Sequence, residues 1–355
     1  AYPARLGWSK GVIGHIMKKG QGLSPDALTM PEIFKAAGYR TAMFGKWHLG
    51  DEPPLRPHQQ GFETTFYLNK SNNQTKELWR DDEVIENPFT NRLLSERFTN
   101  EAIKFIESNR DHPFFLYLPH TAPHFPLEAH PDWKGKSKFG VFGDVVEELD
   151  HRIGQLLNAL KNAELEKNTI VVFLSDNGPE PLTRGSRADP FRGKKWSALE
   201  GGTRVPCIIR HPGLIPPDWE SAALISAIDL LPSLAHACGI DLQQHSQGNP
   251  IIDGLNVWPT LQDDKEAPHP RQDLLYWHGA DGFQAIRKGS WKLFPNRRHA
   301  GLKGSGPALF NLEKDLQEKL DVSMEHPVKV AALKKLAELR LSEIEKNKIA
   351  LGETK

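Results

Sequence analysis

Two runs of consecutive apolar residues, 114–118 (FFLYL) and 169–174 (TIVVFL), have strand length and almost no polar interruption, a pattern that fits strands buried on both faces. Between them Val145, Leu149, Ile153, Leu156, Leu157 and Leu160 recur at helical spacing, with Glu147, Glu148, Asp150 and Arg152 on the opposite side, which predicts a long amphipathic helix. Further helices are predicted over 30–37, 94–108 and 229–238, the last with Asp229 near its first turn, where a carboxylate opposes the helix dipole favourably. Apolar segments that each lead into a polar or glycine-rich turn, with helices between them, describe an α/β sheet covered on both faces. Around 262–273 the text turns polar and proline-bearing (QDDKEAPHPRQD), then resumes as short strand-like pieces at 274–277, 284–286 and 291–294 and a charged helix over 328–349. This divides the chain into a main unit, 1–265, and a C-terminal unit, 266–355, built as a small antiparallel sheet with a helix.

Composition changes this picture little. Across 355 residues, 45 basic side chains balance 45 acidic ones, so no global charge argues for a nucleic-acid or membrane-surface partner, and any anion must be attracted by local charge. Cys207 and Cys238 stand in apolar neighbourhoods that suit buried free thiols rather than a disulfide or a metal site. No apolar stretch approaches the roughly 20 residues that span a bilayer. No charged-then-apolar leader stands at the start, although a segment ahead of Ala1 could carry one.

Four stretches carry candidate chemistry. Residues 38–50 (GYRTAMFGKWHLG) set Lys46 and His48 close together on a glycine-bounded turn after a short apolar segment, a cation and a proton donor suited to an anionic ester. Residues 173–178 (FLSDNG) place Asp176 and Asn177 at the end of an apolar strand, where ligands of parallel α/β sheets bind. Both are hard oxygen donors for Ca2+ or Mg2+, though two donors fall short of a cage of six, and Asp-Asn-Gly also makes a plain turn. Residues 117–126 (YLPHTAPHFP) bring His120 and His124 out at the same edge on a loop stiffened by prolines. Residues 191–206 (FRGKKWSALEGGTRVP) hold Lys195 in a glycine-bounded loop, which in isolation reads rather as a solvated basic turn.

These motifs, in this order, resemble the type I sulfatase family, the arylsulfatase A-like, formylglycine-dependent branch of the alkaline-phosphatase-like superfamily. Residues 1–5 (AYPAR) resemble its first signature, with alanine where cysteine or serine is expected, and 38–50 its second. RPHQQGF at 56–62, DVVEEL at 144–149, DLLP at 229–232 and LFNLEKDLQEKLDV at 309–322 extend the likeness over the whole chain. The resemblance implies an alkaline-phosphatase-like mixed sheet and a sulfuric ester hydrolase acting on a sulfated sugar or aryl sulfate. It further implies a formylglycine nucleophile at the position of Ala1, with Arg5 on the nucleophile and metal side. Lys46 and Lys195 would neutralise sulfate oxygens, and His48 would assist the nucleophile. His124 would protonate the leaving oxygen, Asp176 and Asn177 would hold Ca2+ (or Mg2+), and Ser71, with His120, would contact substrate.

The family's Asp-Asp metal pair is expected upstream of the first signature, so a start at a motif residue reads as a truncated frame, and a sheet without its first strand is expected to expose apolar edges. Alanine has no heteroatom for attack, so a chain that keeps Ala1 is expected not to turn over sulfate esters. Two other readings stay open: a phosphoester or phosphonate hydrolase of the same superfamily, and a non-catalytic sulfoglycan binder. Trp277, His278 and Arg297 to His299 could meet a glycan or be ordinary surface. A periplasmic, secreted or lysosomal location follows from the resemblance; the oligomeric state does not.

Overall fold

The computed structural model describes residues 1–8, 19–245, 251–262, 269–278 and 281–354. Its smallest sheet is a two-residue ribbon, β1 (Gln21–Gly22) against β13 (Gly352–Glu353). The central sheet is built around β2 (Arg40–Lys46), which runs parallel to β3 (Thr64–Leu68) on one side and to β6 (Phe114–Tyr117) on the other. β4 (Leu78–Arg80) and β5 (Glu83–Glu86) extend it antiparallel, in the order β5-β4-β3-β2-β6.

Strand alternation decides how the helices cover it. On one face Ile33 and Phe34 of α1 (Met30–Ala36) pack with Phe115. On the other Ala42, Phe44, Phe66 and Leu68 meet Phe98 and Ala102 of α2 (Leu94–Ser108). α3 (Gly140–Asn162) lies against α2. α1 starts where Thr29 and Glu32 close a reciprocal capping box with Pro31 in the first turn, which satisfies amide groups that a helix start leaves open. The expected helices at 30–37, 94–108 and 229–238 are thus present, the last as α5 (Leu230–Ala237) following the short turn α4 (Glu200–Thr203) in the chain and preceding α6 (Leu242–His245).

The two apolar runs depart from expectation. β6 is an edge strand, and β7 (Val171–Leu174) pairs only with β8 (Cys207–Arg210), antiparallel, in a separate two-stranded sheet. Each has one edge without a strand neighbour among the described residues, and although Phe114 and Leu116 of β6 pack on one face and Phe115 on the other, Tyr117 and Phe173 stand 46% and 38% exposed. Cys207, on β8, is exposed rather than buried; Cys238 is half-buried, and both thiols are free.

The C-terminal unit is the predicted antiparallel sheet: β9 (Asp273–His278), β10 (Gly282–Lys288), β11 (Trp291–Phe294) and β12 (Ala308–Asn311), ordered β12-β11-β10-β9. One face buries Leu275, Ile286, Leu293 and Leu309 against Leu333, Ala337 and Ile344 of α7 (Pro327–Lys346). The other buries Tyr276, Phe294 and Phe310 against Ala198 and Leu199 of the main unit. The expected boundary at 265/266 lies outside the described residues.

Candidate active site

The carboxyl ends of β2, β3 and β6 meet at one edge of the sheet. Lys46 donates its amide to the Pro119 carbonyl at 2.8 Å, Trp47 to Leu68 at 2.9 Å and His48 to Asn69 at 3.2 Å. This approach requires glycine at position 45, whose φ is +145° and where a Cβ would lie 2.1 Å from the Pro119 oxygen. Lys46 is thereby set beside the 119–124 loop. His48 takes a left-handed backbone (φ 58°), uncommon for a side-chain-bearing residue and often found at functional positions. Ser71, expected to touch substrate, is buried, and its Oγ lies 3.4 Å from His48 Nδ1. Its hydroxyl faces the histidine, a geometry that suits orienting the ring.

At the end of β7, Asn177 donates from its side-chain amide to Asp176 Oδ1 at 2.8 Å. The next residue, Gly178, donates to the Gly202 carbonyl at 3.0 Å, and a Cβ there would meet the Gly201 oxygen at 1.9 Å. Lys195 donates its amide to Pro179 at 2.9 Å, so the Asp176 turn and the Lys195 loop interlock through backbone. The Lys195 ammonium lies 3.8 Å from Glu180 Oε2 and 5.4 Å from the ring of Trp196, itself at φ 72°.

Four of the predicted residues share one electrostatic field. Burial holds the Lys46 ammonium below its ordinary pKa, Lys195 adds to the depression, and Asp176 opposes it. Burial likewise lowers the His124 imidazole, with Lys46 and Lys195 contributing against Asp176 and against the bond to Phe125. Because a carbonyl only accepts, the 2.7 Å contact from His124 Nδ1 to Phe125 O puts the proton on Nδ1 and leaves Nε2 to titrate. Both lysine charges thus act on the His124 imidazole, and Asp176 offsets them.

Two predicted residues go elsewhere. His120 is turned inward: its ring packs 6.3 Å from Phe98, both ring nitrogens are shielded and without a hydrogen bond among the described residues, and burial, with nearby Arg152, pushes its pKa down to about 4. It is a core residue, not a substrate contact. Arg5 is buried in an ion-pair network, with Asp253 at 2.7 Å and Glu343 at 2.7 Å, while its Nη1 is shielded without a hydrogen bond among the described residues. Ca2+ takes six to eight oxygens. Asp176 and Asn177 supply two, one of them already bonded to the neighbouring amide, and among the described residues no three His, Cys, Asp or Glu side chains gather as metal ligands. The side chains present do not make a Ca2+ or Mg2+ shell by themselves.

The sequence reading missed what holds the Lys195 loop. Arg192 donates to the carbonyls of Gln317 (2.8 Å), Ala300 (3.0 Å) and Glu318, and Glu200 is paired with Lys292, which also pairs with Glu318. Arg192 and Glu200 flank Lys195 in the text, but their partners lie about a hundred residues further on, and no local pattern announces them.

A family model described as Sulfatase matches residues 5–240. The chain belongs to the sulfatase family. Sulfatases generally work through formylglycine and a divalent metal. The chain is 32% identical over 285 residues to N-acetylgalactosamine-6-sulfatase of Mus musculus, covering 74% of this sulfatase and 53% of the mouse protein. It is 31% identical over 330 residues to N-acetylgalactosamine-6-O-sulfatase of Bacteroides thetaiotaomicron, covering 83% and 60%. It therefore spans about half to three fifths of the length of these curated relatives. Among solved structures, Ps i-CgsB in complex with k-i-k-neocarrahexaose matches with a TM-score of 0.79 at 26% identity, covering 99% of this chain and 82% of that one. A phosphonate monoester hydrolase from Silicibacter pomeroyi shares the fold, with a TM-score of 0.62 at 17% identity over 97% and 86% of the two chains.

Proposed function

We propose that Lys46, Lys195, His124 and Asp176 form a sulfate-ester site, and that the chain is the core of a sulfuric ester hydrolase for a sulfated sugar or aryl sulfate. The observation that carries this is the convergence of Lys46, beside the 119–124 loop, and Lys195, in the loop interlocked with the Asp176 turn, from places far apart in the chain, with burial and the Lys195 charge both holding Lys46 below its ordinary pKa. Charge-assisted hydrogen bonds from these ammonium groups would hold the non-bridging oxygens of the ester. His124 Nε2 would hold the proton for the leaving alcohol. Near neutral pH its lowered pKa leaves it mostly uncharged, and a bound sulfate would raise that pKa, so the proton arrives with the anion. His48, oriented by Ser71, would face the nucleophile's side. Asp176 and Asn177 would lend two donors to a divalent cation whose other ligands are not among the described residues.

Ala1 carries neither oxygen nor sulfur and does not fit a formylglycine, so attack on sulfur is assigned to no residue of this chain. That observation favours a second reading, a sulfoglycan binder without turnover. The relatives' names point to a 6-sulfated N-acetylgalactosamine, and the neocarrahexaose complex to an oligosaccharide. No helix among the described residues is long and apolar enough to cross a membrane, and a periplasmic, secreted or lysosomal setting is proposed with the function.

Matched sulfate and phosphate monoesters of 4-nitrophenol separate these readings when both binding and hydrolysis are followed. The sulfate ester should bind, binding should fall on Lys46→Ala, and no nitrophenol should be released. Turnover abolished by Lys46→Ala would remove the binder reading, and phosphate ester bound tenfold more tightly than sulfate ester would remove the sulfatase site.

A further inference from the structure

The most heavily buried charges in the molecule lie outside the site. Lys292 on β11 is fully buried, and its ammonium lies 2.8 Å from Glu200 Oε1 and 3.0 Å from Glu318 Oε1. The faces of Tyr276 and Phe294 close over it, 4.3 and 5.4 Å from their ring centroids. Glu318 closes the triad by accepting the Glu200 amide on Oε2 at 2.7 Å. On the remaining side Arg287 and Arg204 approach Glu200 Oε2 at 3.5 and 3.9 Å.

Such a cluster needs a reason. Buried ion pairs contribute little net stability, because desolvation offsets the attraction. The apolar cluster around Ala198 and Leu199 already joins the C-terminal sheet to the main unit. What the charges add is a fixed place for Glu200 and, through the Arg192 guanidinium on three carbonyls of the C-terminal unit, a fixed place for Arg192. Gly201 donates to the Arg192 carbonyl at 2.8 Å, which closes the loop between the two anchors. Lys195 is held inside that loop. Uncommon left-handed backbone occurs on both sides of the junction, at Trp196 (φ 72°) and at buried Glu318 (φ 53°), as found where surrounding structure over-determines a functional geometry.

We infer that the Glu200–Lys292–Glu318 triad and Arg192 are positioning residues for Lys195, so that the C-terminal sheet sets the reach of the sulfate-binding lysine. The inference rests on the proposed role of Lys195.

The test is calorimetric titration of the full chain with inorganic sulfate, with the melting temperature of each variant measured alongside. Lys195→Ala should raise Kd at least about tenfold. Lys292→Met and Arg192→Met should each raise it about fivefold, and Arg192→Lys, which keeps a charged donor, should recover part of the loss. Arg271→Met breaks another buried pair, with Asp229, away from the loop. It should lower the melting temperature while leaving Kd within about twofold. If Lys292→Met does not fold, half-buried Arg192 and its two variants decide. Unchanged Kd in the Lys292 and Arg192 variants, with Lys195→Ala still weak, overturns the positioning role alone. Arg271→Met weakening sulfate as much as they do also overturns it. Full affinity in Lys195→Ala removes the sulfate site and the inference together.

Discussion

Lys46 is partly desolvated and lies in the field of Lys195, an arrangement that costs free energy and that a bound anion would relieve. Lys46→Met should therefore leave the free chain at least as stable while weakening sulfate at least about tenfold, which thermal melts and titrations together would check. His124 adds a pH dependence with a definite sign. An anion favours its protonated form, so sulfate should bind more tightly as pH falls through a His124 pKa below the usual 6.5, and His124→Gln should flatten that rise. His120 acts on stability instead. Its pKa is about 4 in the folded chain against 6.5 unfolded, so the unfolded state binds more protons between those values and stability falls as pH drops through that window. The loss should reach about 3 kcal/mol, and His120→Leu should remove that part of the slope in melts taken at pH 4 to 7. At this scale strand ends and short stiff loops made it legible that Lys46, Lys195, His124 and Asp176 would come near one another, and their charges do act on one another. The sequence misled for His120, whose place is decided by Phe98 and Arg152, neither of them a sequence neighbour.

Among the elements, periodicity made α2 and β11 legible to the residue, since an amphipathic stripe or a short apolar strand between turns carries its own bounds. The same logic failed for β6 and β7. An unbroken apolar run says that a strand is apolar, not how many neighbours it has, and here each lacks one. The approach of β2 to the loop after β6 depends on Gly45, where alanine would collide with the Pro119 carbonyl and oppose a φ of +145°. Gly45→Ala should cost about 3 kcal/mol and shift Lys46 enough to lower sulfate affinity, whereas a surface change such as Gly38→Ala should leave affinity intact. Denaturant unfolding and sulfate titration of the two variants would show it.

As a whole, the molecule brings its C-terminal sheet against the segment that carries Lys195, so this boundary reaches the candidate site. Ala198 and Leu199 complete the C-terminal core, Tyr2 enters its other face, and Arg5 reaches Glu343, so the C-terminal unit is part of the frame rather than an appendage. A chain ending at residue 262 should lose cooperative thermal unfolding as well as sulfate binding, because it would expose that core and release Arg192 and Glu200. The central claim, that Lys46 and Lys195 together recognise a sulfate ester, is tested most directly by titrating the chain with N-acetylgalactosamine 6-sulfate and with unsulfated N-acetylgalactosamine. The account predicts that only the sulfated sugar binds and that Lys46→Ala and Lys195→Ala each weaken it at least about tenfold. Equal affinity for the two sugars, untouched by either substitution, would contradict it.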